Sequence, residues 1–118
     1  MAVNRRSQGN EGESLAAEYL RTHGFRIVER NYRFQRGEID IVAEEGPELV
    51  FIEVKARYSR TFGPPEDAVT PQKQKQLLSV AEGYLFEHRI DGKPCRFDVV
   101  AIEFHDQKPE IRHIRNAF

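Results

Sequence analysis

Apolar positions recur along this chain in two rhythms, one helical and one alternating. Leu15, Ala16, Tyr19 and Leu20 fall at helical spacing and predict a helix over 11–23, ended by His23-Gly24. Asn10 as N-cap with Glu13 three residues on fits a capping box. Phe25 and Ile27 then alternate with Arg26, Val28 and Arg30, which predicts a strand to Tyr32. Tyr32 and Phe34 read as core residues, with stacking on a base as the alternative. Two β-branched runs, 37–43 and 49–57, flank a loop around Gly46-Pro47 and predict a β-hairpin. Gly63-Pro64-Pro65 makes 58–69 a long loop. Thr70 and Pro71 suit an N-cap and first helical position, opening a second helix to about 88. Its stripe is Leu77, Leu78, Ala81, Tyr84 and Leu85. Asp91-Gly92 marks a turn, 95–104 an inner strand, and 111–115 a short edge strand rich in Arg and His. Helix, three strands, helix, two strands is an α/β order.

Charges interrupt the hairpin in an informative way. Successive side chains on a strand point to opposite faces, so Glu53 and Lys55 share one with Leu49 and Phe51. Val50, Ile52, Val54 and Ala56 fill the other. A strand apolar on both faces is buried in its sheet, and charges at its end are costly unless paired or used. A loop over 45–48 places Asp40 opposite Glu53. Carboxylates so opposed lie about 4.5–5.5 Å apart and repel unless a cation joins them. Hard cations such as Mg²⁺ or Mn²⁺ take such oxygen ligands together with phosphate oxygens and water. Lys55 reaches the same space, where it can orient a water or hold a phosphate. This set of residues points to metal-assisted phosphodiester hydrolysis. The competing reading is a solvated strand rim with weak ion pairs.

Composition narrows the setting. The chain has 118 residues and reads as one domain, 1–118, with 1–9 as a flexible arm. The single cysteine, Cys95, excludes an internal disulfide and reads as a packed thiol. The four histidines lack zinc-site spacing and read as surface residues. No apolar run approaches the ~20 residues of a membrane span, and no apolar segment follows the basic start, so a cytoplasmic protein is expected. Net charge is −1, which is not the global signature of a nucleic-acid binder. The basic residues are clustered, however. Arg5 and Arg6 lie at the start, Arg30, Arg33 and Arg36 lead into the hairpin, Arg57 and Arg60 follow it, and Lys73 and Lys75 open the second helix. A basic rim around an acidic metal site suits a phosphate backbone; loop solvation is the alternative for each arginine.

Gly37-Glu38-Ile39-Asp40 followed by Glu53-Val54-Lys55 resembles the active-site signature of the PD-(D/E)XK nuclease superfamily, with Ile39 where the proline would stand. Gly12-Glu13, Tyr19-Leu20, Gly24-Phe25, Arg30-Asn31-Tyr32-Arg33 and Thr70-Pro71-Gln72-Lys73 resemble the YraN family, small bacterial proteins similar to Holliday-junction resolvases. The resemblance spans about Gly9 to Phe118. It implies a restriction-endonuclease-like core, a mixed sheet of about five strands flanked by two helices. It implies a metal held by Asp40, Glu53 and the Val54 carbonyl, Lys55 acting on the water, and Glu13 assisting from the first helix. Capping is the other explanation of Glu13, and the two are compatible. Glu38 ranks below Asp40 as an auxiliary ligand. The resemblance further implies phosphate contacts from Gln72 and Lys73, and a homodimer.

The leading expectation is therefore a Mg²⁺- or Mn²⁺-dependent endonuclease acting on branched or structured DNA. Arg33, Arg36, Arg57, Arg60, Gln72 and Lys73 would contact the nucleic acid, and loop 58–69 would border the groove, poorly ordered without it. A catalytically inactive nucleic-acid-binding module is the alternative. A scaffold that self-associates through a sheet edge is a third reading.

Overall fold

The computed structural model describes residues 5–118, with side chains from Glu11 onward. Its elements are α1 (Arg5–Thr22), β1 (Arg26–Phe34), β2 (Gly37–Glu45), β3 (Glu48–Arg57), α2 (Pro71–Glu87), β4 (Cys95–His105) and β5 (Lys108–Ile114). The strands form one five-stranded sheet in sequence order, β1-β2-β3-β4-β5. All neighbours are antiparallel except β3 and β4. That parallel pair needs a crossover, and α2 supplies it. The result is the mixed sheet with two helices that the family resemblance implies, consistent with a restriction-endonuclease-like core.

The helices cover opposite faces. Ala16, Ala17 and Leu20 of α1 pack on Ile41, Ala43, Val50, Ile52, Val100 and Ile102. Leu77, Val80, Ala81 and Tyr84 of α2 pack on Ile39, Val42, Leu49, Phe51 and Val99. Phe51 and Leu49 thus lie on the α2 face and Val50 and Ile52 on the α1 face, following the alternation. Tyr32 is a core residue whose hydroxyl donates to Glu87. Two glycines permit close approach. A Cβ on Gly12 would meet the Cβ of Ala56 at 3.1 Å, and one on Gly37 would clash with Val80.

Several expectations change. The first helix begins at Arg5, so residues 5–9, expected within the arm, are its first turns. Residues 1–4 of that arm lie outside the described residues. Asn10 is therefore inside the helix and the capping box fails, because the chain has only Gly9 to oppose continuation and one glycine costs a helix only about 1 kcal/mol. The hairpin loop is the two residues Gly46-Pro47, flanked by a Glu45–Glu48 pair. The 58–69 loop, expected to be poorly ordered, contains a 3-10 turn at Pro65–Ala68. It is tied down by ion pairs from Arg60 to Glu103 and from Glu66 to Arg112. Cys95 is exposed, at the first position of β4, where the strand has not yet entered the core.

His113 is not a surface residue. Its side chain is 6% exposed, and its Nε2 lies 2.7 Å from Oδ2 of the fully buried Asp98. Arg96 donates to the same carboxylate, and also to Glu45 and Glu48 of the hairpin. The Asn116 amide completes the set. Asp98 thus accepts four hydrogen bonds, two of them from Arg96, which is how a fully buried carboxylate is stabilised.

Candidate metal centre

The site forms where β2 and β3 stop pairing. Their ladder runs from Glu45–Glu48 to Ile41–Ile52 and ends there. The register up to that point is the expected one, but Asp40 and Glu53 do not extend it as a ladder pair. Instead Asp40 Oδ2 accepts the Val54 amide at 2.8 Å. The two carboxyl groups still meet. Burial first, then hydrogen bonding and repulsion with Asp40, pushes the Glu53 carboxyl far above its ordinary range.

A change of face in β2 explains the break. Ile39 packs toward α2, yet Ile41, two residues on, packs toward α1, while Val42 faces α2. Strict alternation would give Ile39 and Ile41 one face. The reversal falls at Asp40. In β1 the matching position, between the Arg30–Ile41 and Tyr32–Ile39 pairs, is Asn31 with φ 56. A left-handed residue in a strand rotates the chain that follows it. Only a separate shift, between Ile27 and Glu29, interrupts the β1–β2 register.

Glu53 is the most enclosed member, 6% exposed. Its Oε2 is buried without a hydrogen-bond donor. Lys55 Nζ stands 4.0 Å from Oε1 and Lys73 Nζ 4.0 Å from Oε2. Both ammonium groups are too distant for good hydrogen bonds. Lys73 gets there because Thr70 caps α2, accepting the Lys73 amide at 3.2 Å. Gln72 and Lys73 also line an open groove of about 540 Å³ with Ala68, Thr70 and Gln76.

Glu13 of α1 joins from the other side. Its carboxyl is shifted upward by burial first, then by Asp40 and, more weakly, Glu38; Arg30 and the Asn31 amide oppose the shift. One end of the Asn31 amide lies 2.8 Å from Glu13 Oε1 and Glu38 Oε1, and because both are acceptors the nitrogen is assigned to that end, donating to each. Glu13, Glu38, Asp40 and Glu53 thus gather around one end of β2. Sequence reasoning missed Asn31. Its signal was a poor strand former, prone to left-handed φ, inside a strand pattern.

The basic residues divide. Arg36 is exposed in the β1–β2 turn, and Arg33 is exposed with Nε 3.3 Å from Glu38 Oε2. Arg57 is half-buried, and its Nε is buried without an acceptor. Arg60, expected at the nucleic acid, instead makes two hydrogen bonds to Glu103 and is committed there. Arg112 binds the same carboxylate and holds Glu66 as well. The two arginines draw the Glu103 carboxyl down to about 2. Glu103, His105 and Glu110 also bring ligand atoms within 4.8 Å of one another. Glu103 already accepts three hydrogen bonds from the two arginines there, so that group does not suit a cation.

The donors at Asp40 and Glu53 fit a hard cation: carboxylate oxygens, one of them orphaned and buried. Buried like charges held together without a cation are otherwise unfavourable.

Comparison with known proteins agrees with the motif reading. A match to "Uncharacterised protein family UPF0102" covers residues 12–102. A UPF0102 protein of Moorella thermoacetica is 50% identical over 120 residues, covering all of both chains. One of Geobacter metallireducens is 48% identical over 118 residues, covering all of this chain and 97% of the relative. One of Dehalococcoides mccartyi is 44% identical over 117 residues, covering 99% and 97%. Gly12-Glu13, the hairpin and Thr70-Pro71-Gln72-Lys73 all lie inside the matched span. The chain belongs to UPF0102, the YraN family that its motifs resemble.

Proposed function

We propose that this protein is a divalent-cation-dependent endonuclease that cuts branched or otherwise structured DNA in the cytoplasm. The observation that carries the reading is Glu53: a carboxylate 6% exposed, one oxygen without a donor, beside Asp40 and between two lysines. Asp40 and Glu53 would hold Mg²⁺ or Mn²⁺, and the Val54 carbonyl is the further ligand that the resemblance implies. The bound ion would supply Lewis-acid polarisation of a phosphoryl oxygen and a water of lowered pKa.

The residues do the rest. The Val54 amide fixes the Asp40 carboxylate, so that its other oxygen keeps one orientation. Lys55, half-buried near Glu53, orients the water and takes up or returns its proton. Glu13 adds negative charge from α1. Lys73 and Gln72 hold a phosphate in the groove at the start of α2. Arg33 and Arg36 extend that contact along the β1–β2 turn, and the half-buried Arg57 adds positive charge at the end of β3. A branched substrate with two strands to cut calls for a second copy of the chain.

Calorimetric titration of Mn²⁺ into wild type and into the Asp40→Asn, Glu53→Gln double variant is the first test, followed by Mg²⁺-dependent cleavage of four-way and linear DNA. Saturable binding lost in the variant, with product from branched DNA, is expected. Salt-dependent DNA binding without product in either metal would overturn the enzyme reading and assign a non-catalytic binding module.

A further inference from the structure

Asn31 does two things at one place. It holds φ 56 in the middle of β1, where non-glycine residues rarely adopt a left-handed conformation. One end of its amide also lies 2.8 Å from both Glu13 Oε1 and Glu38 Oε1. Both neighbours are acceptors, so the nitrogen must face them. The strand position matters as well. Asn31 lies between the Arg30–Ile41 and Tyr32–Ile39 pairs, across from Asp40, at the level where the sheet face reverses.

We propose that Asn31 is a positioning residue of the metal centre: its amide ties Glu13 of α1 to Glu38 of β2 and so holds the helix carboxylate beside Asp40. Two carboxylates repel and need donors between them. A lysine or arginine there would donate but would also neutralise the site and compete with a cation. A carboxamide offers two N–H groups and no charge. Asn is also the residue, after glycine, that best tolerates left-handed φ, so one residue supplies both the turn of the strand and the clamp. The clamp joins a helix to a strand, so its loss would free Glu13 without removing it.

This inference rests on the metal-centre reading, and the test separates the two. Mn²⁺ affinity is measured by calorimetry for wild type, Asn31→Gly, Asn31→Ala, Glu13→Gln and the Asn31→Gly, Glu13→Gln pair, with melting temperatures alongside. Glycine accepts φ 56 easily and alanine does not, so the two variants differ in backbone cost but both lack the amide. Loss of a hydrogen-bonding partner outside the metal ligands themselves typically weakens binding about 10- to 100-fold. Both Asn31 variants should fall in that range by similar factors despite different melting temperatures. The double variant should bind no more weakly than Glu13→Gln alone. If wild type binds Mn²⁺ and Asn31→Gly binds it equally well, the positioning role is overturned while the metal centre stands. Affinities that track melting temperature, or losses that multiply in the double variant, overturn it too. Absence of Mn²⁺ binding by wild type overturns both.

Discussion

Asp40 accepts the backbone amide of Val54 at 2.8 Å across the point where β2 and β3 part. A carboxylate side chain has replaced a strand carbonyl as the partner of that amide. Asp40 therefore has a structural duty besides its place among the acidic residues, and two substitutions separate them. Asp40→Asn keeps an acceptor for Val54 and should melt close to wild type, yet lose Mn²⁺ binding. Asp40→Ala leaves the half-buried amide unpaired and should lose about 1–3 kcal/mol of stability as well. Chemical denaturation beside calorimetry checks both, and an Asp40→Asn variant with wild-type Mn²⁺ affinity would remove Asp40 from the ligands.

The raised carboxyl of Glu53 has consequences with a definite sign. Its pKa is pushed from 4.5 up to about 9, by burial first and Asp40 second. A group whose charged form is disfavoured in the fold costs stability as pH rises from 4.5 toward 9, and costs nothing below that window. Glu53→Gln should therefore stabilise the metal-free protein at pH 7, by roughly 1–3 kcal/mol, and make no difference at pH 4. A melting series at the two pH values reads this directly.

The same group sets the pH dependence of metal binding. A proton and a cation compete for Glu53, so Mn²⁺ affinity should climb by about tenfold per pH unit between pH 6 and 8. Titration in buffers of different ionisation enthalpy should reveal close to one proton released per ion. A flat profile with no proton release would mean that Glu53 is already ionised or is not a ligand.

Lys55 and Lys73 stand at equal distances from Glu53, 4.0 Å each, but arrive from different elements. Lys55→Ala should abolish cleavage with DNA affinity nearly kept. Lys73→Ala should weaken DNA binding and reduce the slope of log affinity against log salt by about 1. Cleavage rates at saturating DNA and a salt series of binding curves distinguish the two roles; interchangeable effects would refute the division.

Glu103 offers a prediction away from the site. Arg60 and Arg112 hold its carboxyl at about 2 against an ordinary 4.5. A depressed pKa contributes stability that is present above 4.5 and lost as pH falls toward 2. Glu103→Gln should lower the melting temperature at pH 7 and match wild type near pH 2. It should leave Mn²⁺ binding unchanged, because the arginines, not a cation, use this carboxylate.

Much of this protein follows from local pattern. The alternation of 49–57 placed Glu53 and Lys55 on one face, and the structure keeps them there, because side-chain period in a strand is a property of the backbone. Thr70-Pro71 marked the start of α2 for a similarly local reason, the hydrogen bond that the third amide of the helix donates to the cap side chain. Other outcomes needed the tertiary structure. Asp40 meets the Val54 amide rather than facing Glu53 in a ladder, because one left-handed residue on the neighbouring strand reverses the sheet face. Arg60 pairs with Glu103, 43 positions away, and His113 with Asp98, 15 away, so neither fate could be read from neighbours in sequence. Periodicity reports which way a side chain points. Which charge it finds there depends on the strand order, set by the crossover of α2 that lays β4 parallel to β3.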